Sequence, residues 1–256
     1  MVRRPLAGLA LGAAAMVLAS CRPATVSVAY APTIGQRYGY RYEIEATVTR
    51  RVAGRRPQVT HLDTTLLARE RVQAVTGAGT RLRVVLTRDG GTPRTAVVLV
   101  DRAGSLAGIE LVPGLDATTF GLVGRGALGP GGTTAPPDRR LAPGDRWTIR
   151  EDGRRGHGRL ERLGVVDGED VAVVVSSTTD QVDETGRTGA SATHVVGRVT
   201  SAATTSYDLH GGAVRRSRSH STGTLRALVR PPTGVEASAV QATIAYDVTV
   251  RVTRTG

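Results

Sequence analysis

The residues of this chain that could do chemistry are few and scattered. Cys21 is the only thiol in 256 residues, and a thiol can serve as a nucleophile, a metal ligand or an acceptor for covalent modification. The five histidines, His61, His157, His194, His210 and His220, form no ligand pair by spacing along the chain, so no metal site is expected. Gly124-Arg125-Gly126-Ala127-Leu128-Gly129 spells the dinucleotide-binding glycine fingerprint. That motif works only where a strand delivers it and a helix starts on it, so that backbone amides meet a pyrophosphate. Pro130-Gly131-Gly132 and Pro136-Pro137 follow instead, and the motif reads as a glycine-rich loop. Glu43 and Glu45 share one strand face but sit among arginines, as surface carboxylates do. There is no Gly-x-Ser-x-Gly elbow, no His-Glu-x-x-His and no lysine for a Ser-x-x-Lys motif. The sequence predicts no catalytic residue, no metal and no cofactor, hence a non-enzymatic protein.

The surroundings of Cys21 are more informative than its thiol. Arg3 and Arg4 precede a mostly apolar run from Leu6 to Leu18, and Leu18-Ala19-Ser20-Cys21 ends it. Charge, apolar run and small residues are the layout of a secretory signal peptide. The run is shorter than the roughly 20 residues a membrane-spanning helix needs. Its ending resembles the lipobox of bacterial lipoproteins. That resemblance implies lipidation of Cys21, cleavage before it, and a membrane partner through acyl chains at the extracytoplasmic face of the cell membrane. With Cys21 acylated, the mature chain has no thiol for a disulfide, and its stability must come from sheet packing.

All 34 basic residues are arginine, there is neither Lys nor Asn, and the formal charge is +12. Absence of residues with AT-rich codons points to a GC-rich, actinobacterial genome. An excess of positive charge suits anionic neighbours such as phospholipid headgroups, acidic glycans or phosphorylated wall polymers. Nucleic acid is not expected for an exported, acylated protein.

Apolar and polar residues alternate strictly from Tyr38 to Thr49, with Tyr38, Tyr40, Tyr42, Ile44, Ala46 and Val48 on one face. This is the period of a strand with one buried and one wet face. Further strands are expected near 58–73, 80–88, 94–100, 105–111, 145–150, 158–166, 170–178, 191–208, 213–229 and 238–253, divided by turn residues such as Asp89-Gly90-Gly91 and Asp167-Gly168. Several of these exceed the usual five or six residues and suit a sheet that bends around something. The best helical candidate is the short stretch 115–123. The fold class expected is mainly β: an antiparallel, strongly curved, half-barrel-like sheet with at most one or two short helices.

The chain also resembles itself. Gly35-Gln36-Arg37-Tyr38 parallels Gly144-Asp145-Arg146-Trp147, Val72–Gly77 parallels Leu163–Gly168, and Val98–Gly104 parallels Thr205–Gly211, at unequal offsets. The organisation read from this is a signal peptide at 1–20, a lipidated cysteine and tether at 21–35, and a first β half at 36–111. A Gly/Pro-rich connection follows at 112–143, then a second β half at 144–256, as one sheet or two related units. This layout resembles the half-barrel lipoproteins of actinobacterial envelopes, distantly like the LolA and LppX/LprG lipid carriers. Leu141-Ala142-Pro143-Gly144-Asp145-Arg146-Trp147 is similar to the Pro-x-x-Val-Gly-Asp-x-Trp opening of repeats in lipoproteins of that sort.

Two functions from different classes remain open at this level. One is binding of a lipid, acylated glycan or other amphipathic ligand on the concave face. The other is an adaptor that docks an envelope protein through a sheet edge or the 112–143 segment. Ligand-binding candidates are Tyr38, Tyr40 and Tyr42, which read first as core packing, and Trp147, a buried anchor or a stacking platform. Arg216 and Arg218, with His220, would grip an anionic headgroup if their face turns inward, and would merely be solvated if it turns outward.

Overall fold

The computed structural model describes residues 24–88, 90–101, 106–110, 136–151, 153–188, 191–232 and 238–256. Cys21 and the apolar run before it, the helical candidate 115–123 and the glycine motif at 124–129 lie outside the described residues. No helix occurs among the described residues.

Eleven strands follow one another: β1 (Arg37–Val52), β2 (Gln58–Thr76), β3 (Gly79–Arg88), β4 (Arg94–Val100), β5 (Leu106–Glu110), β6 (Arg146–Glu151), β7 (Arg154–Val166), β8 (Glu169–Thr188), β9 (Ser191–Asp208), β10 (Val214–Arg230) and β11 (Val240–Arg254). They form a single sheet in the order β5-β4-β3-β2-β1-β11-β10-β9-β8-β7-β6. Every pairing is antiparallel. Each sequence half is therefore a meander of hairpins, and β1 zips to β11 from Tyr40–Arg254 to Val52–Ala242 to make both halves one curved, open sheet. The Asp167-Gly168 turn supplies two successive positive φ angles, 53° and 82°, the geometry that matches hairpin twist.

β8 is longer than its expected 170–178. Its second half, Thr179–Thr188, is polar and carries no apolar alternation, yet it stays in unbroken register with β9 down to Thr188–Ser191. Ladder pairing with a neighbouring long strand overrides a weak intrinsic preference.

Alternation sorts the sheet into an inner and an outer face. Tyr38, Tyr40, Tyr42 and Ile44 on β1, Ala68 and Val72 on β2, Leu82 and Val84 on β3, and Val250 and Val252 on β11 are all buried on the inner face. Their outer-face neighbours Arg41, Glu45, Arg69, Arg83 and Thr253 are exposed. Burial is concentrated at the end where β1 begins and β11 finishes. There residues 24–34, expected as tether, run across the mouth of the sheet as a strap. Val26 exchanges two 2.8 Å backbone hydrogen bonds with Leu141, just before β6. Val28 and Tyr30 are buried, and the Ala31 N–H donates to Gly211 at 3.1 Å in the β9–β10 turn. Each large apolar side chain packed here contributes about 1.5–3 kcal/mol.

The two halves share a structural motif at their entrances. Gly35 (φ 86°) and Gly144 (φ 94°) each occupy the position of a tight turn that disfavours a Cβ. In one turn Gln36 N–H donates to Thr33 O, and Thr33 N–H donates to the Gln36 side chain. In the other, Asp145 N–H donates to Ala142 O, and Ala142 N–H donates to the Asp145 carboxylate. The first turn docks on Val72 and the second on Leu160, each by a pair of backbone bonds at a bulge of the following strand. The sequence parallel at the turns thus has matching hydrogen bonds, while the second hairpin is longer beyond its bulge.

Candidate functional site

The inner face divides into two regions. At the strapped end, the rings of Tyr38, Tyr40 and Tyr42 stand in file with centroids 6.2 Å apart at both steps, and Tyr30 from the strap joins at 6.5 Å from Tyr38. Tyr38, Tyr40 and Tyr42 are each only 2% exposed. They pack the core, so a ligand entering the sheet would meet other residues first.

A polar cluster that the sequence reading missed is threaded through these rings. Glu70 is opposite Tyr38 on β2 and 3% exposed. Its Oε2 and the hydroxyl of Tyr40 are buried with no hydrogen-bond partner among the described residues. Burial pushes the Glu70 carboxyl up to about 8, so it is predominantly protonated at neutral pH. Burial also raises Tyr38 to about 12, opposed by the charge of Arg254. Tyr30, Tyr40 and Tyr42 are also raised, again chiefly by burial, with Glu70 adding to the effect. The Arg254 guanidinium lies 4.9 Å from the centre of the Tyr38 ring and donates to Asp208 at 2.8 Å. Asp208 in turn accepts from the N–H groups of His210 and Gly211, each at 2.8 Å. The signal for Glu70 was present: it is a carboxylate in the apolar period of Leu66, Ala68 and Val72.

Trp147 is half-buried against the core, with its ring over Gly158, its partner across the β6–β7 ladder. A Cβ on Gly158 would come within 2.2 Å of that ring, so the glycine makes the space that the indole fills. The Trp147 Nε1 is buried without a partner among the described residues. Arg216 and Arg218 are separated from these by the sheet itself. Their exposed face is opposite to the one that carries the tyrosines, with Ser217, Ser219 and Ser221 turned inward between them. Arg216 is held by Asp167 at 2.6 Å, and His220 faces Asp247 at 3.4 Å. The arginine row turns outward because serine, not arginine, fits beneath the inner apolar layer. The sequence-nominated tyrosines, tryptophan and arginines are therefore not one site.

Beyond Ile44 the inner face is half-buried along β1 and along β11 as far as Ile244, while Leu225 and Ala227 of β10 and Ala242 of β11 are buried beside it. Ala46 and Val48 on β1, Ile244, Tyr246 and Val248 on β11, and Val199 and Ser201 on β9 line it. Tyr246 lies over Gly223 of β10, where a Cβ would approach the ring to 2.6 Å. Burial, then the nearby Asp180 charge, raises the Tyr246 hydroxyl to about 12. The result is a trough of small and apolar side chains with a neutral phenol in its floor. Among the described residues no three His, Cys, Asp or Glu side chains converge on a metal position.

No family model matches the chain, and no curated protein matches it. Among solved structures, the chain is similar to OmpTΔL8, a loop L8 deletion mutant of OmpT, an outer membrane protein of Vibrio cholerae. Identity is 9%, the match covers 84% of this chain and 99% of that one, and the TM-score is 0.21. A score that low carries no argument about fold or function.

Proposed function

We propose that this protein is a non-enzymatic envelope lipoprotein, held at the extracytoplasmic face of the cell membrane by acyl chains on Cys21. Its inner sheet face binds a lipid or another amphipathic molecule. The carrying observation is the change of burial along one face. Tyr38, Tyr40, Tyr42 and Ile44 are buried, whereas Ala46, Val48, Ile244, Tyr246 and Val248 continue the apolar face half-covered. Apolar surface left half-open beside a few polar groups suits an acyl chain or similar group. Tyr246 would offer a hydroxyl to the polar end.

Native mass spectrometry of the protein extracted from its host tests this. Co-purifying lipid is expected on the wild type and is lost from Val48→Asp with Val248→Asp. Wild-type protein recovered free of any lipid other than its anchor overturns the reading. Cys21→Ala tests the anchor by itself, because the exported variant should leave the membrane fraction.

A second reading is supported by Val59 and Leu67, on the outer face of β2 and 55% and 48% exposed. Two apolar side chains on a wet face suit a protein partner, as in an adaptor. Photocrosslinkers at 59 and 67 that capture a defined envelope protein would favour it over the ligand carrier.

A further inference from the structure

Along the outer face, arginines and carboxylates alternate and meet. Arg41 pairs with Glu43, Arg251 with Glu45, Arg159 with Glu161, Arg215 with Glu169 and Arg216 with Asp167. This interleaving stops at the end of the sheet opposite the strap. The β1–β2 hairpin carries Arg50, Arg51, Arg55 and Arg56, and residues 46–62 hold no carboxylate at all. On β10, Arg226 joins them: Arg51 and Arg226 flank Thr243 of β11 in the ladder, which sets their backbones about 10 Å apart on the same face. Arg230 ends that strand. All six arginines are exposed, and none forms an ion pair among the described residues.

The described carboxylates nearest this end face other groups, and Glu236, between β10 and β11, lies outside the described residues. Asp63 acts on Arg251, Asp183 bonds His194 at 2.8 Å, and Asp247 faces His220. Glu184 has an interaction of its own. Among the described residues the tip therefore gathers guanidinium groups without a paired carboxylate, Arg51 and Arg226 on the outer side of the sheet and Arg50 on the inner, in contrast with the ion-paired outer face behind it. Guanidinium groups spread over the ends of β1 and β10, on either side of β11, and a turn favour repeated bidentate contacts with a chain of anionic oxygens over the grip of one small ion. The tip also stands far from Ala24, where the described chain begins. The strap leaves the sheet at Ala24, three residues after Cys21, at the opposite end of β1, whose 16 residues span about 50 Å.

We infer that the arginine-rich tip formed by the β1–β2 hairpin and the end of β10 is a docking surface for a linear anionic glycan of the envelope, bearing phosphodiester or uronate groups. Apart from Arg50, which shares the inner face with Val48 and Ile244, the surface does not involve the inner-face ligand region, and only the envelope source of the polymer rests on the export reading.

Binding of the purified full-length protein to polygalacturonate, to long-chain polyphosphate and to phosphatidylglycerol vesicles is measured at low and high salt. The wild type is expected to bind at least one polymer, and salt should weaken that binding steeply as bound counterions are released. Arg50→Ser, Arg51→Ser, Arg55→Ser and Arg56→Ser together should lower affinity by about tenfold or more and flatten the salt response. A charge-matched variant with Arg37, Arg69, Arg71 and Arg83 changed to Ser should retain both. Arg55→Ser with Arg56→Ser, which touches only the turn, should give an intermediate loss and so guards against misfolding. Preference for the uronate or the phosphate polymer identifies the anionic group. Equal loss in both fourfold variants reduces the effect to net charge and overturns the surface, as does absence of polymer binding by the wild type. Tip-dependent binding to vesicles alone overturns the glycan as its partner. Fractionation of the host separates the two readings: a protein kept in the cytoplasm sinks the export reading while the tip result stands.

Discussion

Glu70 stands directly opposite Tyr38 across the β1–β2 ladder, and both side chains are buried on the inner face. A carboxylate in that position would cost far more than a carboxylic acid, because burial penalises the charged form. The pair therefore exists with the proton on Glu70, beside phenols that hold theirs.

This has a pH consequence with a definite sign. The Glu70 carboxyl rises from an ordinary value of 4.5 to about 8 on folding, so between those values the folded state keeps a proton that the unfolded chain has lost. Stability should fall as pH rises through that window and level off above it. Glu70→Gln removes the titration. Thermal melts should show wild type and variant diverging from about pH 5 to pH 8, with the variant the more stable at the alkaline end by on the order of a few kcal/mol. Parallel melting curves across the window would refute the buried-acid account.

Arg254 and Asp208 form an ion pair whose side chains are only 14% and 11% exposed. Removing one partner from a buried pair costs about 3–5 kcal/mol. Arg254→Met should approach that loss in urea denaturation. Asp208→Asn, which can still accept from His210 and Gly211, should cost less than Asp208→Ala, which abandons the turn as well.

Trp147 reports on its own packing. Gly158→Val places atoms where the indole lies and should cost about 1–3 kcal/mol, as overpacking does. With a single Trp in the chain, the displaced ring should be visible as a red-shifted fluorescence maximum. Gly186→Ala, where an added Cβ meets nothing within 4 Å, should leave both stability and emission near wild type.

The paired entrance turns make a matched prediction. Gly35→Ala and Gly144→Ala each force an L-residue into the left-handed region, and each should cost about 1–2 kcal/mol. Neither added methyl meets another atom, so the cost is backbone conformation alone. A large difference between the two variants would mean that the turns are less alike than their hydrogen bonds.

Much of the sheet was legible in the residues. The alternations of β1 and β11, the hairpin signals at Asp89-Gly90-Gly91 and Asp167-Gly168, and most strand bounds follow from a period of two and from turn chemistry, which are local properties. The polar half of β8 was not legible, because Thr179–Thr188 owes its conformation to β9 beside it.

What the sequence determined by itself is therefore which residues share a face and where the chain turns, since both depend only on neighbours along the backbone. The tertiary structure decided that β1 lies against β11, a pairing between the two extremities of the described chain that no local pattern encodes. It also decided which face is covered. Period two says that Arg216 and Arg218 lie together and that Tyr38, Tyr40 and Tyr42 lie together. Only the assembled sheet, with Val28 and Tyr30 of the strap laid across it, turns the tyrosines and Glu70 inward and the arginines out. The physical reason is that burial is a property of volume filled by distant segments, and the desolvation that protonates Glu70 exists only once those segments have met.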